Sequence, residues 1–402
     1  MNASVPMLLS FVLGLLVLYQ GSVVESLGVN FAVYILLIIA VVPVVGYRVW
    51  CMRSSWHKGG RLVDRERLKA KYVALVAGLM LMLVYSSLMS QFGLVPIDGF
   101  VSDYLLSLPV LLLLLPSYVR WVDQRAMQSE DEVFRFGLVL LRKKRWIWAE
   151  QKMLVLSWVV KILFLPLMYS GLVAAVSAVL LFDWELQSGS VIAGLFVLGV
   201  AFDLLIGVCG YIFSSRLFDS EVLGIDDSWM GWLVCLICYP PLVFLLHIVR
   251  EQSDKFVWTD WLLPDEPFYW VWAVIISGSW GGYWVSTACF GLRFSNLSWR
   301  GLVANGPYRY VKHPAYLAKN IYWWAHTVPL YGVFGVDALR NLLGLIFVSL
   351  VYYLRAKTEE RHLLCHPEYA AYAQWIEQHG LFARLRRGLW GLWGLWARNP
   401  GV

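Results

Sequence analysis

The sequence is poor in charge. Asp, Glu, Lys and Arg make up 15% of its 402 residues, where a soluble domain carries about 25%. Hydrophobic residues reach 59%, against about 45–50% in soluble domains. This balance excludes a disordered or collagen-like chain and points to a polytopic membrane protein. Cysteine is sparse too: Cys51, Cys209, Cys235, Cys238, Cys289 and Cys365. A secreted scaffold built on disulfides is excluded, and most of the six lie in apolar runs, as small buried residues do. Cys235 and Cys238 form a CxxC inside an apolar stretch with no second pair, so no metal site is read from them. No repeat of solenoid size is present. Nothing beyond the formal charge of +6 points to nucleic acid.

What the sequence does contain is long apolar runs. A bilayer span needs about 20 mostly apolar residues. Ten runs fit, near 5–24, 29–50, 72–92, 101–118, 153–182, 190–213, 229–250, 267–290, 320–336 and 339–355. The first lacks a basic leader and is followed almost at once by another apolar run, so it reads as a span rather than a cleaved signal. The last two are short and joined around Gly335 and Asp337, which predicts a tight helical hairpin. The fold expected is all-α: a transmembrane helical bundle of about ten spans.

Lys and Arg concentrate in short cytosolic loops. The 51–71 loop carries Arg53, Lys58, Arg61, Arg65, Arg67, Lys69 and Lys71, and the 119–152 loop carries eight basic residues from Arg120 to Lys152. Segments 93–100 and 183–189 have none. Both termini are therefore expected in the cytosol. The 214–228 loop fits poorly, with Arg216 against four acidic residues. Two stretches mix basic residues with Trp, Phe and Leu, as headgroup-layer helices do. They are 119–150 and 380–398, the latter with Trp390, Trp393 and Trp396 behind Arg384, Arg386 and Arg387. An N-terminal bundle over 1–290 and a distinct region over 291–402 are expected.

Ionisable residues at membrane depth are functional candidates. Lys161 and Asp203 fall at similar depth in the fifth and sixth spans and are expected to face each other, as an ion pair or as the lining of a substrate cavity. His247 and His326 read as hydrogen-bonded packing residues. Pro240 and Pro241 remove backbone donors and are expected to kink the seventh span.

One segment differs from the rest: Asn305-Gly-Pro-Tyr-Arg-Tyr-Val-Lys-His-Pro-Ala-Tyr-Leu-Ala-Lys-Asn320. Tyr308, Arg309, Tyr310, Lys312, His313 and Tyr316 fall within nine positions. The predicted hairpin returns the chain to the same membrane face at Arg355-Ala-Lys-Thr-Glu-Glu-Arg-His-Leu363. An Arg grips a carboxylate or phosphate. A carboxylate accepts from an ammonium or from ribose hydroxyls, and Tyr rings attract a base or a cation. S-adenosyl-L-methionine offers all these groups. NADPH, with Arg309, Lys312 and Arg355 on its phosphates, is the other cofactor this chemistry allows.

Gly306-Pro-Tyr-Arg-Tyr-Val-Lys-His-Pro-Ala-Tyr316 closely resembles the GPYRYVRHPxY signature of isoprenylcysteine carboxyl methyltransferase-like membrane proteins, to which phospholipid methyltransferases are related. Glu359-Glu-Arg-His-Leu363, with Pro367-Glu-Tyr369 and Tyr372, looks like that family's acidic and tyrosine element. The resemblance covers roughly 290–380. It implies S-adenosyl-L-methionine held at the cytosolic face by Tyr308, Arg309, His313, Pro314, Tyr316, Glu359 and Glu360, with Arg309, His313 and Glu359 nearest the chemistry and no metal. It implies methyl transfer to a lipid-like or amphipathic acceptor reached from the bilayer. Membrane sterol reductases, with about ten spans and an HPxY-like motif, are the second resemblance and imply NADPH. A transporter or scaffold is the non-enzymatic alternative.

Overall fold

Inside a bilayer no water pairs with the backbone, and a helix satisfies its own N–H and C=O groups within one segment. The computed structural model describes residues 4–20, 29–53, 62–125, 130–184, 188–215 and 218–387. Apart from connections and one two-stranded ladder, these residues are helical. Contacts divide the chain into two compact units. One comprises Met1–Asp227, Cys238–Val243 and Gly291–Gly301, the other Ser228–Ile237, Phe244–Phe290 and Leu302–Val402.

The first unit contains α1 (Ser4–Gln20), α2 (Val29–Met52), α3 (Arg65–Gln91), α4 (Asp98–Arg125), α5 (Glu132–Leu140), α6 (Trp148–Leu180) and α7 (Ser188–Ile212). Its ladder pairs Gly224–Ile225 antiparallel with Ser298–Trp299. The second contains α8 (Trp229–Leu236), α9 (Val243–Arg250), α10 (Pro267–Phe290), α11 (Pro314–Thr327), α12 (Gly335–Leu363) and α13 (Pro367–His379). Here Trp272 Nε1 donates to the Ala325 carbonyl at 2.8 Å, tying α10 to α11. Buried Asn341 of α12 accepts from the Ser253 N–H at 2.8 Å.

Six helices among the described residues are long and apolar enough to cross a membrane. In α3 and α4 only 11% of the most apolar window is buried. Leu106, Leu113 and Leu114 of α4 are 75%, 77% and 58% exposed. A soluble protein does not leave an apolar surface of that extent open, and a bilayer covers it. The chain is an integral membrane protein with an all-α bundle.

Ten spans were expected, and the other four runs are not among these six. Of the run 5–24 the described part is the apolar helix α1, and residues 21–24 lie outside the described residues. The expected span 229–250 is broken into α8 and α9 on either side of Pro240-Pro241, more than the kink expected, because neither proline donates to a helix. α10 has 24 residues but is rich in Trp, Tyr, Ser and Gly and is not among the six. The ninth run folds as α11, whose 14 residues extend about 21 Å, short of the roughly 30 Å of a hydrocarbon core. Val328 in a left-handed conformation (φ 44°), with Pro329 behind it, stops α11 early. The hairpin expected between 320–336 and 339–355 is therefore a short arm, α11, and a long one, α12.

The two basic loops meet at one end of the first unit. Arg67 at the start of α3 donates from Nε and Nη2 to the Asp123 carboxylate at the end of α4, the latter bond at 2.7 Å. Lys71 reaches Asp123 at 3.1 Å and Asp131 at 2.7 Å. Part of the 119–150 stretch packs on α3 as α5. Gly137 allows this, since a Cβ there would lie 2.0 Å from the Ala70 carbonyl oxygen. The expected Lys161–Asp203 pair does not form. The charge acting on Lys161 is that of buried Arg300, whose Nη1 donates to the Gly210 carbonyl. Shared depth does not fix how each helix is rotated about its axis. Lys58, Arg61, Glu185, Arg216 and the tryptophans of the 380–398 stretch lie outside the described residues.

Candidate active site in the second unit

The motif begins with a turn that only a small residue permits. Gly306 has φ +55°, and a Cβ there would meet Cys289 Sγ at 2.7 Å. Pro307 then sets a 3-10 turn over Gly306–Arg309. The Tyr308 ring is buried edge-on against Phe290 of α10, with centroids 5.3 Å apart. Tyr372 of α13 holds the turn from the other side, its hydroxyl donating to the Tyr308 carbonyl at 2.7 Å. The Leu381 N–H donates to the Tyr310 carbonyl at 2.8 Å, so the chain after α13 is also tied to the motif. Gly380 makes that approach possible, because a Cβ there would lie 2.7 Å from the Tyr310 oxygen.

His313 stands at the N-cap position of α11 without a capping side-chain bond, and Pro314 is the first helical residue, where a missing N–H costs nothing. α12 brings its last turns beside this point. The Tyr316 hydroxyl donates to Glu359 Oε2 at 2.9 Å. His313 Nδ1 stands 4.0 Å from the same oxygen. The His313 and Tyr316 rings stack with centroids 5.7 Å apart. Tyr316 stacks in turn on Tyr352 at 6.1 Å, and the Arg355 guanidinium lies over the Tyr316 ring at 5.4 Å. Two aromatic faces, a cation, a carboxylate and an imidazole thus converge from two helices.

This cluster is not saturated. His313 Nε2 is buried without a hydrogen-bond partner, and a native protein seldom leaves such an atom unmatched unless a ligand or water meets it. Burial lowers the His313 pKa, opposed by the charges of Glu359 and Glu360. The ring is therefore neutral near pH 7 and able to accept a proton. The Glu359 side chain remains 40% exposed and has room for a further donor.

The other expected site residues go elsewhere. Glu360 is buried and forms an ion pair with Lys312, and Lys357 adds a second contact at 3.3 Å. Lys312 also reaches Glu377 of α13 at 3.0 Å. Neighbouring residues on a helix point about 100° apart, and Glu359 and Glu360 accordingly meet different partners. Arg309 is exposed and lines a different cleft with Tyr372, Trp375 and Arg384. Tyr308 is a packing residue of the turn. Tyr352 and Arg355 enter the cluster although the motif did not single out Tyr352. Their spacing, Tyr352-Arg355-Glu359, is the signal, since it puts all three on one helical face.

Residues 283–365 match the isoprenylcysteine carboxyl methyltransferase family. The C-terminal region is isoprenylcysteine carboxyl methyltransferase-like. The match runs from Tyr283 in α10 to Cys365 just past α12. It therefore contains both arms of the cluster, His313 with Tyr316 and Tyr352 with Glu359. No curated protein and no solved structure matches the chain.

Proposed function

We propose that the protein transfers a methyl group from S-adenosyl-L-methionine to a lipid-like or amphipathic acceptor at the cytosolic membrane face. The observation that carries this reading is the meeting of His313, Tyr316 and Glu359 within a segment that matches a membrane methyltransferase family. The donor set suits the cofactor. Glu359 accepts from an ammonium or ribose hydroxyl, Arg355 faces a carboxylate, and the Tyr316 and Tyr352 rings favour a sulfonium and an adenine. His313 Nε2 offers an unmatched polar atom. S-adenosyl-L-methionine supplies an electrophilic methyl group when bound.

The chain's own part is binding, orientation and water exclusion. The ring stack fixes direction, and holding two reactants in line removes much of the barrier to a bimolecular step. A carboxylate or thiolate acceptor needs no base. For an amine acceptor, neutral His313 takes the proton, with Glu359 beside Nδ1 steadying the imidazolium. Lys312, Glu360 and Glu377 position the motif against α12 and α13. The basic loops of 51–71 and 119–152 support the cytosolic assignment.

The test is binding of S-adenosyl-L-methionine and NADPH to the detergent-purified chain, side by side, on wild type and Glu359→Gln. Saturable S-adenosyl-L-methionine binding, weakened about 10–100-fold in the variant, is expected from loss of a charge-assisted hydrogen bond. NADPH binding alone would replace the transferase with a reductase.

A further inference from the structure

A cleft of about 500 Å³ in the second unit is lined by Ala304, Arg309, Tyr310, Tyr372, Trp375 and Arg384. His313, Tyr316 and Glu359 do not line it, so it is separate from the candidate active site. Among the described residues no acidic side chain lines it either. Arg309 makes no hydrogen bond or ion pair among the described residues. Arg384 gives only Nε, to the His379 carbonyl at 2.8 Å, and keeps both terminal nitrogens. Two guanidinium groups lining one cleft with no carboxylate among them give it a positive field that suits an anion. Beside them stand the rings of Tyr310 and Trp375, 50% and 47% exposed.

The rim indicates where the anion comes from. Residues 381–387 form a short helical segment that carries Arg384, Arg386 and Arg387. On the same segment Leu381, Phe382 and Leu385 are 39%, 63% and 53% exposed. Exposed apolar side chains interleaved with arginine suit the headgroup layer of a bilayer, where both find partners, and not open water. We propose that this cleft is a binding site for the phosphate headgroup of an anionic phospholipid. Arg309 and Arg384 grip the phosphate oxygens, and Trp375 and Tyr310 cover the glycerol end of the chains. The bound lipid braces the motif, because Tyr310 and Leu381 are joined by a backbone hydrogen bond and Tyr372 holds the Tyr308 carbonyl. The assignment does not depend on the methyl-transfer reading.

The experiment is native mass spectrometry of the full chain in a neutral detergent. An equal mixture of phosphatidylglycerol and phosphatidylcholine with identical acyl chains is added. Retention of one phosphatidylglycerol per chain over phosphatidylcholine is expected. Arg309→Gln with Arg384→Gln lowers that retention about tenfold, as removal of charge-assisted partners should. Arg386→Gln with Arg387→Gln, outside the cleft, leaves it near wild type. If the double cleft variant does not elute as a monodisperse species, Arg384→Gln alone is read, since that exposed side chain makes a single backbone bond. Equal retention of both lipids, or equal losses in the cleft and control pairs, overturns the site. Displacement of the lipid by glycerol 3-phosphate at equal concentration assigns the cleft to a soluble anion and overturns the lipid.

Discussion

Two clusters in this molecule gather charged residues from distant stretches of sequence, one in each unit, and they differ in how completely they are satisfied. At the base of α3, Arg67 and Lys71 close on Asp123, which is 1% exposed and accepts from both. Asp131 takes the remaining reach of Lys71. At the junction of α11 and α12, Glu359 is 40% exposed and His313 stands 4.0 Å away with Nε2 unmatched. In the first cluster the central carboxylate is buried and both its oxygens are taken by Arg67 and Lys71. The second is organised on its aromatic side and open on its polar side. Composition does not separate the two, since both hold a carboxylate beside cations at helix ends. The unspent hydrogen-bonding capacity does.

The sharpest way to break the comparison is to open the closed cluster. Asp123→Ala removes the buried carboxylate that two buried cations share, leaving Lys71 only Asp131 and Arg67 only Asp64, and should cost up to about 3–5 kcal/mol of stability, read as thermal unfolding in detergent. Cofactor affinity per folded molecule should be unchanged. Glu359→Gln should do the reverse, with unfolding nearly as in wild type and a loss of affinity as given above. Equal unfolding losses in the two variants would end the distinction between a closed and an open cluster.

A smaller effect is expected at Gly380. Ala there places a Cβ 2.5 Å from the Ile376 oxygen and 2.7 Å from the Tyr310 oxygen. Neither backbone atom can give way freely, so about 1–3 kcal/mol of destabilisation is expected. Hydrogen exchange should rise at Leu381, whose N–H bonds the Tyr310 carbonyl. The smallest effect is on pH dependence. The folded state holds the His313 pKa below its ordinary value through burial. The unfolded state therefore binds the proton more readily, and this contribution to stability is present above about pH 6.5 and fades as pH falls through the depressed value. Methyl transfer to an amine should share that acid limb. Removing the Glu359 charge, which raises the pKa, should move the limb to lower pH.

Much of this was legible in the sequence. Helical class and membrane insertion follow from the apolar runs, because a lipid-embedded backbone has few other ways to pair its polar groups. The family resemblance also followed from the sequence, carried by Gly306–Tyr316 and Glu359–Leu363. Span number was less accessible. Hydropathy counts apolar residues, but Pro240-Pro241 splits one run and Val328 with Pro329 shortens another. The Lys161–Asp203 pairing failed because depth along a helix says nothing of azimuth.

By itself, the sequence determined that the chain is a helical membrane protein and that two motifs lie at the ends of neighbouring helices. Such properties depend on composition and on local rise and turn. Only tertiary structure decided which motif residues meet. It joined Tyr316 and His313 to Glu359, gave Glu360 to Lys312, and turned Arg309 toward Trp375 and Arg384. A helix rotates its side chains by about 100° per residue, so residues adjacent in sequence separate in space. Their partners are fixed by how α11, α12 and α13 pack.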